Sequence, residues 1–140
     1  MKDKLLAIDP GTRKCGIAVL HPDGTALEKR VAPLEGLKNE LEDIFGRRDD
    51  IDAVVVGSGT GSAKVIEIIR SIGAAPGSIE KIQERNTTLD ARKLYEKDHP
   101  RPWPLRMLPF GLFGLPDGMD AYAAVAIGLL YLESIRRKDV

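Results

Sequence analysis

The chain has 140 residues, room for one domain with a substantial core, and its 43% hydrophobic and 30% charged residues exclude a disordered polymer. Lys+Arg and Asp+Glu both number 21, so there is no net charge and an anionic partner must be met by a local patch. The single cysteine, Cys15, excludes an internal disulfide and a thiolate-built zinc site. No apolar run approaches the roughly 18 residues of a membrane span, and Met1-Lys2-Asp3-Lys4 opens without an apolar signal segment. One cytoplasmic domain over residues 1–140, with no membrane partner, is therefore the expectation.

Leu5-Leu6-Ala7-Ile8 is an unbroken apolar run that suits a strand covered on both faces, and it ends on Asp9 before the turn formers Pro10 and Gly11. Gly16 to Leu20 resumes a strand, Pro22-Asp23-Gly24 turns it, and 25–32 forms a third, more exposed strand paired antiparallel. Leu37, Leu41, Ile44 and Phe45 fall at helical spacing, with Lys38, Glu40 and Glu42 among the charges opposite and Gly46 near the end. Ala53 to Gly57 reads as a buried parallel strand. The small-residue loop Ser58-Gly59-Thr60-Gly61-Ser62 then opens a second helix, with Ser62 as N-cap and Val65, Ile66, Ile69 and Ile72 as its inward stripe.

Residues 78–85 read as a fifth strand carrying a second acid, Glu84, at its end. Thr87-Thr88-Leu89-Asp90 matches a capping box, so a third helix is expected to about Lys97. Five prolines between 100 and 116 forbid regular structure there. His99, Arg101, Trp103 and Arg106 in this stretch form a base-stacking platform, or Trp103 plugs the sheet edge with Phe110 and Phe113. Met119, Ala121, Ala124, Val125, Gly128, Leu132 and Ile135 mark a closing helix, whose small residues permit close approach to a sheet. The pattern is α/β: a five-stranded mixed sheet of order 3-2-1-4-5, strand 2 antiparallel, flanked by helices.

In that sheet Asp9 and Glu84 end parallel strands at one edge, where α/β proteins keep their sites. Asp117 and Asp120, three residues apart, share one face at the start of the closing helix. Asp117 reads equally as the cap of that helix. Carboxylates that converge repel unless a cation offsets them, and oxygen donors without Cys suit Mg²⁺ or Mn²⁺. Two such ions about 4 Å apart activate a water and stabilise the leaving oxygen of a phosphodiester. Arg13, Lys14 and Arg85 beside these acids would hold phosphates, as would Thr12, Ser58 and Thr60 in the strand-end loops. The loop 58–62 reads equally as a tight connection that needs no ligand. With only His21 and His99, no nucleophilic triad forms.

The stretch from Ile8 to Ala18, the run Val54-Val55-Val56-Gly57, the segment from Gln83 to Thr88, and Asp120-Ala121-Tyr122-Ala123-Ala124 with Tyr131-Leu132 together resemble the YqgF/RuvX family. That family belongs to the RNase H-like superfamily and is related to the RuvC Holliday junction resolvases. The resemblance implies an RNase H-like fold, a divalent metal held by Asp9, Glu84 and Asp120, and cleavage of Holliday junction DNA or of a precursor of ribosomal RNA. It also implies a homodimer, as RuvC relatives act on two-fold junctions. Gln83 stands where the family usually has an acid, and Gly57-Ser58-Gly59 where RuvC proteins carry a glutamate. Asp117 resembles the RuvC pair more than the YqgF pattern. Gln83 and the zero net charge leave a second expectation, a binding module of the same fold without catalysis. A third, an actin-like ATPase, needs two such lobes, and the chain is too short for both.

Overall fold

A computed structural model describes residues 4–73, 75–76, 78–83 and 119–138, for 119–120 and 136–138 the backbone alone. The apolar run near the N-terminus forms β1 (Lys4–Asp9), with Leu5, Leu6, Ala7 and Ile8 all fully buried. β2 (Lys14–Leu20) runs antiparallel to it, in a register from Leu5 opposite Leu20 to Asp9 opposite Gly16. The turn to β3 (Ala26–Pro33) has Gly24 at φ 97°, and the Asp23 carboxylate accepts the Thr25 N–H at 2.8 Å. Gly24 thus supplies the left-handed backbone that the hairpin needs.

α1 (Leu37–Arg47) buries the expected Leu37, Leu41, Ile44 and Phe45. It runs one residue past Gly46, which does not take the positive φ of a helix stop. β4 (Ile51–Gly57) lies parallel to β1 and starts two residues ahead of the expected Ala53, because Ile51 pairs with Lys4. The Lys4 ammonium reinforces this start by meeting the Asp50 carboxylate at 2.7 Å. α2 (Ser62–Arg70) follows, then β5 (Ile79–Ile82), parallel to β4. The sheet order is β3-β2-β1-β4-β5, as the sequence pattern predicts.

β5 ends at Ile82 rather than at Glu84 or Arg85 because its partner runs out: Ile82 pairs with Gly57, the last residue of β4. The expected helix at 87–97, the proline-rich segment 100–116, and Glu84, Arg85 and Asp117 lie outside the described residues. The closing helix, α3, spans Met119–Lys138.

The two faces of the sheet have different partners. Leu6, Ile8, Ile17, Val19, Val54 and Val56 pack against α1 and α2. Leu5, Ala7, Ala18, Leu20, Ala53 and Val55 pack against Ala124, Val125 and Ile127 of α3. α3 crosses its face obliquely. Near its start, the Lys29 ammonium of β3 sits 4.8 Å from the centre of the Tyr122 ring, a cation–π contact. Near its middle, a Cβ on Gly128 would lie 2.8 Å from Leu20 Cδ1 and 3.2 Å from Ala7 Cβ. Further along, Tyr131 lies beside Glu80 of β5; burial, reinforced by the Glu80 and Asp52 carboxylates, pushes its phenol up.

Candidate active site

Because β1, β4 and β5 are parallel, their carboxyl ends share one edge of the sheet, and Asp9, Gly57 and Ile82 come to it together. Strand side chains alternate, so Asp9 is on the face of Leu5 and Ala7, the face that α3 covers. Asp9 is half-buried at the end of the ladder, opposite Gly16. A carboxylate there is held by a rigid strand yet reaches solvent.

The loops that leave β1 and β4 are pressed together at this edge. Gly61 has φ +92°, and a Cβ on it would come within 2.9 Å of the Gly11 carbonyl oxygen. Only glycine meets both demands. The same contact corrects the expected cap: Gly61, not Ser62, is the N-cap of α2, it makes no side-chain cap bond, and Ser62 is the buried first helical residue. The loop also has fewer N–H groups to offer a phosphate than its sequence suggests. The Ser58 N–H donates to the Ile82 carbonyl at 2.9 Å and the Ser62 N–H to Gly59 at 3.2 Å. The side chains of Ser58 and Thr60 are exposed, as are Thr12, Arg13 and Lys14 in and after the first loop.

Asp120 is the second residue of α3, in helical register with the fully buried Ala124 and Ile127. Gly128 lies over Ala7, so the helix climbs from there toward its own N-terminus by about 12 Å over eight residues. Asp120 thereby belongs to the end of α3 that lies over β2 and β3, where Tyr122 meets Lys29. The side chain of Asp120 lies outside the described residues, with Glu84 and Asp117. Among the described residues no group of three or more His, Cys, Asp or Glu side chains gathers as a metal site would.

A second feature adjoins the same edge. Thr12 and Arg13 line a groove of about 670 Å³ whose other sides come from Leu34 and Lys38 at the start of α1 and from Lys64 and Ile68 of α2. Glu35 is the single acid among its described lining residues. The Arg13 carbonyl is fixed from within by the Leu34 N–H at 2.8 Å. Arg13, Lys38 and Lys64 form no ion pair among the described residues. The sequence pattern marks Lys38 only as the outer face of a helix and does not single out Lys64. Their meeting is tertiary, and no spacing in the chain signals it.

No protein-family model and no curated protein matches the chain. Solved structures do. RuvC of T. thermophilus in complex with a Holliday junction substrate is 16% identical, covering 96% of this chain and 96% of its own, with a TM-score of 0.56. The Fowlpox virus resolvase in complex with substrate Holliday junction DNA is 14% identical, covering 94% of this chain and 98% of its own, with a TM-score of 0.55. The fold is that of the RuvC-like, RNase H-like proteins.

Proposed function

We propose that the chain is a divalent-metal-dependent nuclease that hydrolyses phosphodiester bonds in structured nucleic acid. The observation that carries this reading is the position of Asp9, at the carboxyl end of a central strand and on the face that α3 covers. The two similar structures each hold Holliday junction DNA as substrate, which supports branched DNA as the target. The motifs shared with the YqgF/RuvX family support precursor ribosomal RNA as the other target. On a two-fold junction two copies of the chain would act together.

The donors suit a hard cation. Cys15 packs into the core between the sheet and α1, on the face opposite Asp9, and His21 is in the far hairpin turn, where its ring accepts the Asp23 N–H. Among the described residues neither of these softer donors is at the site, and carboxylate oxygen suits the hard ion. Asp9, Glu84 and Asp120 would hold Mg²⁺ or Mn²⁺, with Asp117 beside them as a further ligand or as the helix cap. The metal, when bound, activates water and stabilises the leaving oxygen. Asp9 orients that centre from a strand whose ladder permits little movement. Thr12, Arg13, Lys14, Ser58, Thr60 and Arg85 would bind phosphates on either side of the scissile bond.

The test is cleavage of a four-way DNA junction and of a ribosomal RNA precursor with Mn²⁺. The Asp9→Asn protein is expected to lose cleavage of whichever substrate the wild type cuts while keeping its melting temperature. Binding without cleavage by the wild type, on both substrates, would replace the nuclease with the non-catalytic binding module.

A further inference from the structure

We infer that the groove formed by Arg13, Lys38, Lys64, Leu34 and Ile68 binds the sugar-phosphate backbone of nucleic acid beyond the scissile position. This rests on the nuclease reading for its orientation, because the groove is on the α1 and α2 side of the sheet while Asp9 belongs to the α3 side. The turn 10–13 connects the two: Arg13 is four residues past Asp9, so the chain between them reaches no more than about 14 Å. A strand cut at Asp9 would pass over the carboxyl edge of the sheet and descend into the groove.

The charge pattern favours a strung-out polyanion over a compact one. The three cations come from three elements, the turn after β1, α1 and α2, and each is exposed. A site for a small anion gathers buried, converging donors, whereas phosphates along a backbone are met one at a time by long, hydrated cations. Among the described lining residues Glu35 is the only acid, so they carry formally two more positive than negative charges in a molecule whose total is zero. Leu34 and Ile68 offer apolar surface for sugar carbons and none of the paired donors and acceptors that would read a base. Binding here would be independent of sequence.

The experiment measures the affinity of the full chain for a fluorescent four-way DNA junction in EDTA, across a salt series. Replacing Lys38 and Lys64 together by Ala should weaken binding about tenfold and lower the slope of log affinity against log salt by about 2. Arg47→Ala, a cation outside the groove, should leave the slope as it was. An unchanged slope in the Lys38/Lys64 protein, with its melting temperature intact, overturns the groove, as does failure of the wild type to bind. Lys38→Gln and Lys64→Gln give the same reading one charge at a time, each lowering the slope by about 1. Inorganic phosphate should displace DNA no better than chloride at equal ionic strength, and specific displacement would overturn the polyanion reading. Cleavage with Mn²⁺ is scored separately. Cleavage with an unchanged slope sinks the groove alone, and a slope that falls without cleavage in the wild type sinks the nuclease alone.

Discussion

The two faces of the sheet are built for different tasks. Toward α1 and α2 the strands offer bulk: Leu6, Ile8, Ile17, Val19, Val54 and Val56 interdigitate with Leu37, Leu41, Ile44 and Ile69. Toward α3 they offer Ala7, Ala18 and Ala53 among larger residues, and α3 answers with Ala124 and Gly128. A helix packed over small side chains sits closer to the sheet. That closeness is what an acid on the first turn of α3 needs if it is to share an ion with Asp9 on the strand. One face is built for stability, and the other trades bulk for proximity.

A matched pair of variants separates the two faces. Leu41→Ala on the bulky face should cost about 3 kcal/mol, lost transfer free energy plus a cavity, read by denaturant unfolding. Gly128→Val on the close face should cost about 2 kcal/mol, because the added methyls meet Ala7 and Leu20 and push α3 outward. Cleavage should rank the other way. Assayed well below both melting temperatures, Leu41→Ala should keep most activity. Gly128→Val should lose about a hundredfold, the usual consequence of an ångström of misplacement at a reacting centre. Equal losses of activity would remove the division of labour between the faces.

Gly61→Ala acts at the edge where the two faces meet. Alanine at φ +92° costs about 1–2 kcal/mol, and its Cβ would press on the Gly11 carbonyl, which is backbone and cannot swing away. The expected outcome is a loss of about 1.5 kcal/mol with weaker junction binding, because the loop carrying Thr12 and Arg13 shifts with Gly11.

These contacts also mark how far the sequence could be read. β1, β2 and β4 announce themselves as unbroken apolar runs, α1 and α2 as apolar residues at helical spacing, and Asp9 as an acid left at a strand end. The rule that short turns pair antiparallel and crossovers pair parallel then leaves little choice of sheet order. β5 was legible as a strand but not in length, since its end is set by where β4 stops. Ile127 is fully buried yet absent from the expected stripe of α3. From Ala121 to Leu132 that helix is apolar almost all round, so periodicity cannot choose a face. The groove was illegible for a different reason: Arg13, Lys38 and Lys64 read as solvated charges until α1 and α2 bring them beside one turn.

The smallest expected effect isolates the bulky face from the chemistry. Glu28 of β3 accepts hydrogen bonds from Arg30 at 3.0 Å, from Arg47 at 3.1 Å and from Arg48, while Arg30 also reaches Glu40 at 2.6 Å. This cluster ties β3 to α1 and to the chain just past it. Burial alone would raise the Glu28 carboxyl, but the hydrogen bonds from Arg47 and Arg48, helped by Arg48 charge and by Arg30, hold it down at about 2 against an ordinary 4.5. A carboxyl lowered in the folded state stabilises above the unfolded value, and that stability drains away as pH falls from about 4.5 toward 2. The whole difference would be worth about 3 kcal/mol, and screening through the half-exposed Arg47 reduces it to about 1 kcal/mol. Glu28→Gln should therefore cost about 1 kcal/mol at pH 7 by urea unfolding and flatten the acid side of the stability curve. Its cleavage at pH 7 should match the wild type, because nothing on the α3 face moves; a fall in activity without a change in stability would mean that the two faces are coupled through β3.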